Sequence, residues 1–195
     1  MSIYLLRHGQ TQWNKVGFIQ GRYDVPLNEK GIQQAEEARK KLEGIQFDYC
    51  FSSPLKRAKQ TAEIALASRN IEIKEDDRLV EMAYGVFEGQ SCKLGEFQYQ
   101  RRQLPSRFKN GENYFDVVHR AYSFLDEVVS LSKDHNVLIV CHGAIGRAIK
   151  SYFLSSSTND AFIDTICPNG GIEKYEYAPR NIPVKMIPPD KGEDL

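Results

Sequence analysis

Ser2-Ile3-Tyr4-Leu5-Leu6-Arg7-His8-Gly9 and Val137-Leu138-Ile139-Val140-Cys141-His142-Gly143 decide the fold, because each is an apolar run that stops abruptly at a histidine followed by glycine. Short runs without polar alternation suit strands buried on both faces, the habit of parallel sheets. Outward from them, residues 28–42 turn helical, with Ile32, Ala35, Ala38 and Leu42 on one face, Asn28 as N-cap and Gly44 as stop. Residues 47–51 read as a second strand, and Ser52-Ser53-Pro54 then opens a helix to about Ala67, with Pro54 at its first position. Residues 71–74 suit a third strand, 113–132 an amphipathic helix with Val117, Ala121, Phe124, Leu125 and Val128 inward, and 172–177 a last strand. A further helix follows Gly143.

Strands alternating with helices predict an α/β fold: a three-layer sandwich with a mostly parallel central sheet flanked by helices. At 195 residues the chain fits one domain, placed at 1–178, with a proline-rich tail at 179–195 that holds Pro179, Pro183, Pro188 and Pro189. No repeat or interdomain linker interrupts it, and nothing in the residue pattern specifies an oligomeric state.

The 26 basic and 26 acidic side chains cancel, so no global field draws nucleic acid or an anionic membrane, and attraction for an anion must be local. No apolar stretch is long enough for a signal peptide or a membrane span. Cys50, Cys92, Cys141 and Cys167 are scattered without metal-ligand spacing, so they read as small core residues in a reducing cytoplasm.

In open parallel sheets ligands bind at the carboxyl ends of the strands, where both His8 and His142 fall. Arg7, and Arg57 near a helix start, add guanidinium forks suited to phosphate oxygens. Two imidazoles and two guanidiniums predict a pocket for a tetrahedral anion. A lone Arg-His-Gly tripeptide carries little weight; the series RHGQTQWN, QGRYDVPLN, SSPLKRAKQTA, EMAYGVFEG and CHGA carries a great deal.

In that series the chain resembles the histidine phosphatase superfamily, which includes the cofactor-dependent phosphoglycerate mutases, from Arg7 to Gly143 and in the same order. The resemblance implies a phosphoglycerate mutase-like fold and a phosphohistidine intermediate on His8. It places Arg7, Arg57 and His142 around the transferred phosphoryl group, where cations stand in for a metal, so that no metal or other cofactor is expected. Glu81 matches the family's proton donor, with Glu88 as the competing acid, read as structural. Asn14, Gln20, Gly21 and Gly143 match phosphate or substrate contacts, although Asn14 equally suits a loop-ordering amide. Trp13 and Asp24-Val25-Pro26-Leu27 read as packing and turn residues, Ser52 and Ser53 as scaffolding, and His119 and His135 take no catalytic role.

The stretch between Gly89 and Gly111 is short for a mutase, which must shield phosphohistidine from water. The expected activity is therefore hydrolysis of a small phosphorylated metabolite, as in the α-ribazole phosphatases and broad-specificity phosphomonoesterases that share these motifs; a phosphoglycerate mutase is the alternative. Residues 99–109 carry Arg101, Arg102, Arg107 and Lys109 with no acidic residue. The run suits either a solvated face or a cationic wall that selects esters with a second negative group.

Overall fold

The computed structural model describes residues 2–154 and 158–176, so the proline-rich segment and Tyr177 lie outside the described residues. In chain order the elements are β1 (Ser2–Arg7), α1 (Gln12–Val16), α2 (Glu29–Lys41), β2 (Tyr49–Ser52), α3 (Lys56–Ala65), β3 (Ile73–Glu75), α4 (Gly95–Gln100), α5 (Tyr114–Val128), β4 (Val137–Cys141), α6 (Gly143–Phe153), α7 (Asn159–Asp164) and β5 (Ile172–Glu176). They build one sheet of order β3-β2-β4-β1-β5, parallel except for β5, which runs antiparallel to β1.

The two apolar runs are adjacent strands, with Arg7 opposite Cys141, so both histidines leave the sheet at the same edge. Alternate side chains of β4 serve opposite layers. Val137, Ile139 and Cys141 pack with the α5 and α6 side, whereas Leu138 and Val140 pack with α2 and α3. That double burial is why neither run shows polar alternation. The three-layer expectation holds.

Local chemistry explains most helix ends. Asn28 accepts the Gly31 N–H, and Asn113 forms a reciprocal capping box with Asp116. The expected inward face of α2 is corrected at one point: Ile32 is 42% exposed, and Gly31 takes the buried place beside Ala35 and Ala38. The reason is contact between backbones, since a Cβ on Gly31 would lie 2.1 Å from the Gln10 carbonyl, and one on Gly9 would lie 2.3 Å from the Gly31 carbonyl. Pro54 precedes the cap of α3 instead of occupying its first turn, because Leu55 is still extended and is the N-cap. Residues 129–132 leave α5 for a tighter turn. Three short helices, α1, α4 and α7, have five or six residues each, too few for a hydrophobic period to register in sequence.

Glycine at position 9 thus lets α2 seat against the loop that carries His8. We expect Gly9→Ala to destabilise the fold by about 1–3 kcal/mol, the usual cost of overpacking. Urea unfolding would measure it, and an unshifted midpoint would mean that the two backbones are free to separate.

Candidate active site

The sheet edge collects residues from distant parts of the chain. His8 follows β1, and its backbone is clamped on both sides: its N–H donates to the Cys141 carbonyl at 3.0 Å, and its own carbonyl accepts from Asn169 Nδ2 at 3.0 Å. The ring is equally constrained. His8 Nδ1 lies 2.7 Å from the Gly9 carbonyl, and a carbonyl can only accept, so the proton sits on Nδ1 and the lone pair on Nε2. Burial, and after it the positive charges of Arg57 and Arg7, push the His8 pKa well below its ordinary 6.5. Both influences favour the neutral imidazole.

His142 caps α6, with its ring centre 5.0 Å from that of His8. Arg57 Nε–H donates to His142 Nδ1 at 3.2 Å, which leaves Nε2–H to donate to Ser53 Oγ at 2.7 Å. Burial, followed by the Arg57 charge, also pushes this histidine well below 6.5.

Arg57 is the second residue of α3 and is fully buried. Its terminal nitrogens donate to the Tyr23 and Gly21 carbonyls, each at 2.7 Å. Burial brings its pKa down to about 10, still far above neutrality, so the guanidinium keeps its charge. Thr61, one turn on, donates to the Arg57 carbonyl at 2.6 Å and accepts the Gly9 N–H at 3.1 Å, which ties α3 to the His8 loop. Sequence reading missed Thr61, although its spacing from Arg57 on one helix face was visible. Arg7 donates to the Cys167 carbonyl at 2.7 Å, and its buried Nε has no hydrogen-bond partner in the protein.

Glu81 sits against the start of α6. Its carboxylate accepts from Gly143 N at 2.9 Å, Ala144 N at 3.0 Å and Met82 N at 2.9 Å, so it occupies helix N–H groups suited to any anion. Arg120 of α5 holds its loop by donating to the Arg78 and Val80 carbonyls at 2.7 and 2.6 Å. Glu88 instead accepts the Arg22 and Tyr84 backbone N–H groups and serves as a loop brace.

A cavity of about 170 Å³ opens beside Glu81, with Arg7, Asn14, Gln20, Gly21 and Gly143 on its wall. His8, Arg57 and His142 are not among the residues on that wall and are buried, at 2%, 0% and 1% exposure. Asn14 lines the cavity, and its Oδ1 accepts the Thr11 N–H in the capping box of α1. Gln20 accepts from the Thr11 hydroxyl at 3.0 Å. Gly21 adopts φ +50°, and a Cβ there would collide with Glu88.

Trp13 packs on Phe18 and Tyr23, while Asp24 accepts the Lys56 N–H at the head of α3. His119 is exposed, and His135 is half-buried and rests near Asp48. Among the described residues no group of three or more His, Cys, Asp or Glu could hold a metal ion, and no helix is long and apolar enough to cross a membrane.

The expected basic wall divides. Arg101 lines the cavity, but Arg102 pairs with Asp160 and Asp164 and Arg107 with Asp116, on the surface. Lys109 is exposed and contributes its backbone carbonyl to Val86. Three of the four cations therefore stand outside the cavity wall, and carboxylates of α7 and α5, which the local run does not show, hold Arg102 and Arg107 there.

The family model of the histidine phosphatase superfamily (branch 1) matches residues 3–187. An Arabidopsis thaliana protein named "Probable 2-carboxy-D-arabinitol-1-phosphatase" is 34% identical over 91% of this chain, which spans only 38% of that longer protein. A Salmonella arizonae protein named "Probable phosphoglycerate mutase GpmB" is 35% identical over 77% of this chain and 74% of its own length. Among solved structures, a mycobacterial glucosyl-3-phosphoglycerate phosphatase complexed with VO3 superposes with a TM-score of 0.80 at 26% identity, covering 89% of this chain and 91% of that one. With its two strand-end histidines side by side and the family pattern running nearly the length of the molecule, this chain belongs to branch 1 of the histidine phosphatase superfamily.

Proposed function

We propose that this chain is a phosphomonoesterase that hydrolyses a small phosphorylated metabolite through a phosphohistidine on His8, without a metal ion. The observation that carries the proposal is the orientation of His8. Its Nδ1 proton is committed to the Gly9 carbonyl, which leaves the Nε2 lone pair for attack, beside the His142 ring and under the positive charges of Arg57 and Arg7.

In the first step His8 Nε2 attacks phosphorus, the P–N bond forms, and the ester P–O bond breaks with its electron pair on the departing oxygen. Glu81, turned away from the α6 N–H groups and in its neutral acid form, the form that the second step regenerates, donates its proton to that oxygen, and the freed N–H groups of Gly143 and Ala144 receive phosphoryl oxygens. In the second step the Glu81 carboxylate takes a proton from water as the water oxygen attacks phosphorus. The P–N bond breaks and phosphate leaves. Arg7 and Arg57 neutralise the equatorial oxygens throughout, a preorganised role that burial strengthens.

Named activities among the similar proteins include phosphatases for 2-carboxy-D-arabinitol 1-phosphate and glucosyl-3-phosphoglycerate, which supports hydrolysis over isomerisation. The free thiols, two of them fully buried, fit a reducing cytoplasm. Residues 1–178 are taken as the catalytic domain.

Brief reaction with an aryl phosphate followed by mass spectrometry should find the phosphoryl adduct on His8, and His8→Ala should abolish phosphate release; an adduct on another side chain would overturn the mechanism. With 3-phosphoglycerate and a bisphosphoglycerate primer, free phosphate should appear instead of exchanged isomer. Glu81→Gln should lower kcat/KM about 10²–10⁴-fold for alkyl phosphates. It should lower kcat/KM far less for p-nitrophenyl phosphate, whose leaving group needs no proton, while the slowed second step lowers kcat for both. Glu88→Gln should show no such leaving-group dependence; if it does and Glu81→Gln does not, the acid is misassigned.

Stability should follow the buried imidazoles. Below pH 6.5 the unfolded chain protonates both histidines while the fold resists, so the unfolded state binds more protons. Stability is then lost as pH falls below that value, by up to about 1.4 kcal/mol per pH unit per histidine. Urea midpoints between pH 8 and pH 5 should show a shallower slope in His142→Gln, and an identical slope would remove His142 from the account.

A further inference from the structure

The proton on His8 is placed by the Gly9 carbonyl, 2.7 Å from Nδ1, so the ring depends on how the Gly9–Gln10 peptide is turned. A rotation of that peptide withdraws the carbonyl and brings the Gln10 N–H round in its place. An N–H can only donate, so it calls for a lone pair on Nδ1 and drives the proton to Nε2, the nitrogen that attacks. Glycine at position 9 offers little resistance to such a turn, because it lacks a Cβ. The plane must be held from outside the loop.

Gln34 of α2 supplies the hold. Its Oε1 accepts the Gln10 N–H at 2.8 Å, on the edge of the peptide opposite the Gly9 carbonyl. The helix comes this close because Gly31, one turn before Gln34, leaves room for the Gln10 carbonyl, to which the Asn28 N–H donates at 3.0 Å. Gln34 is half-buried and packs over Gly170, where a Cβ would lie 2.7 Å from the Gln34 Cβ.

The preceding peptide, His8–Gly9, is secured separately. Its carbonyl accepts from Asn169 Nδ2 at 3.0 Å and from Gly170 N at 3.2 Å, and its N–H donates to Thr61 Oγ1 at 3.1 Å. Among the described residues the Gly9–Gln10 peptide makes two hydrogen bonds, one with His8 itself and one with Gln34. The orientation that fixes the imidazole therefore has a single anchor beyond the imidazole.

We propose that Gln34 is a positioning residue for the nucleophile: by accepting the Gln10 N–H it keeps the Gly9 carbonyl turned toward His8, and so keeps the lone pair on Nε2. This inference rests on the phosphohistidine reading of His8. It requires a hydrogen-bond acceptor at position 34, which separates it from a packing role. Glutamate supplies that acceptor in nearly the same shape, whereas methionine has similar length and only a weakly accepting thioether.

The test reads the proton directly, by ¹⁵N–¹H correlation spectra of the ring nitrogens at pH 8, with His8→Ala to assign the His8 signals. Alongside it, kcat/KM for p-nitrophenyl phosphate reports attack by His8 on an ester that needs no proton from Glu81. In the wild type His8 should carry its proton on Nδ1 and His142 on Nε2. Gln34→Met should give His8 a measurable population protonated on Nε2 and lower kcat/KM about three- to tenfold, the scale of one neutral hydrogen bond, with His142 unchanged. Gln34→Ala, a good helix former without the acceptor, should behave alike. Gln34→Glu should restore both readouts, and Gln33→Met, on the exposed side of the same helix, should match the wild type.

A wild-type His8 protonated on Nε2, an unchanged His8 tautomer in both Gln34→Met and Gln34→Ala, or a loss that Gln34→Glu fails to restore would overturn the role of Gln34. So would a His142 signal that moves together with that of His8, the mark of a general disturbance. If Gln34→Met moves the proton while the wild type releases phosphate from no ester, the positioning role stands and the phosphomonoesterase reading falls.

Discussion

Burying the Arg57 guanidinium obliges the rest of the site to organise around it. A charge without water must find acceptors, and here three come from two separate places: the Gly21 and Tyr23 carbonyls of the loop after α1, and the imidazole of His142 after β4. Those bonds set the His142 tautomer and hold the loop against the sheet edge. Through Thr61 the same helix also grips the loop that carries His8. Removing Arg57 would leave these groups unpaired in a dry interior, so its structural and electrostatic roles are inseparable.

A similar economy governs the start of α6. Its free N–H groups accept whichever anion is at hand, and in this structure it is the Glu81 carboxylate. The acid proposed for the leaving oxygen therefore rests on helix N–H groups suited to any anion. Both histidines, meanwhile, are pushed toward the neutral form by burial and by the positive charge of Arg57.

Cations near the cavity divide by what surrounds them. Arg102 and Arg107 meet carboxylates across the surface, and their charge is spent there. Arg101 and Arg147 face inward with weak partners or none. The basic segment looked uniform along the chain because a linear run does not show which acidic residues lie opposite. Arg147, separated from the segment and placed inside an apolar helix, gave no such run to notice.

By itself, the residue order determined the strands that end in His8 and His142, the mostly parallel α/β arrangement and the family. Strand patterning and short motifs are local, and local chemistry is legible in one dimension. Tertiary structure decided the rest: the proton position on each imidazole, the seat of Glu81 on α6, Glu88 as a brace, Ile32 turned outward, and Arg147 brought to the cavity. Each of these depends on which groups meet across the sheet edge, and burial makes an unpaired proton or charge too costly to leave to chance. Such pairings belong to the packed molecule, because the distances that create them exist only there.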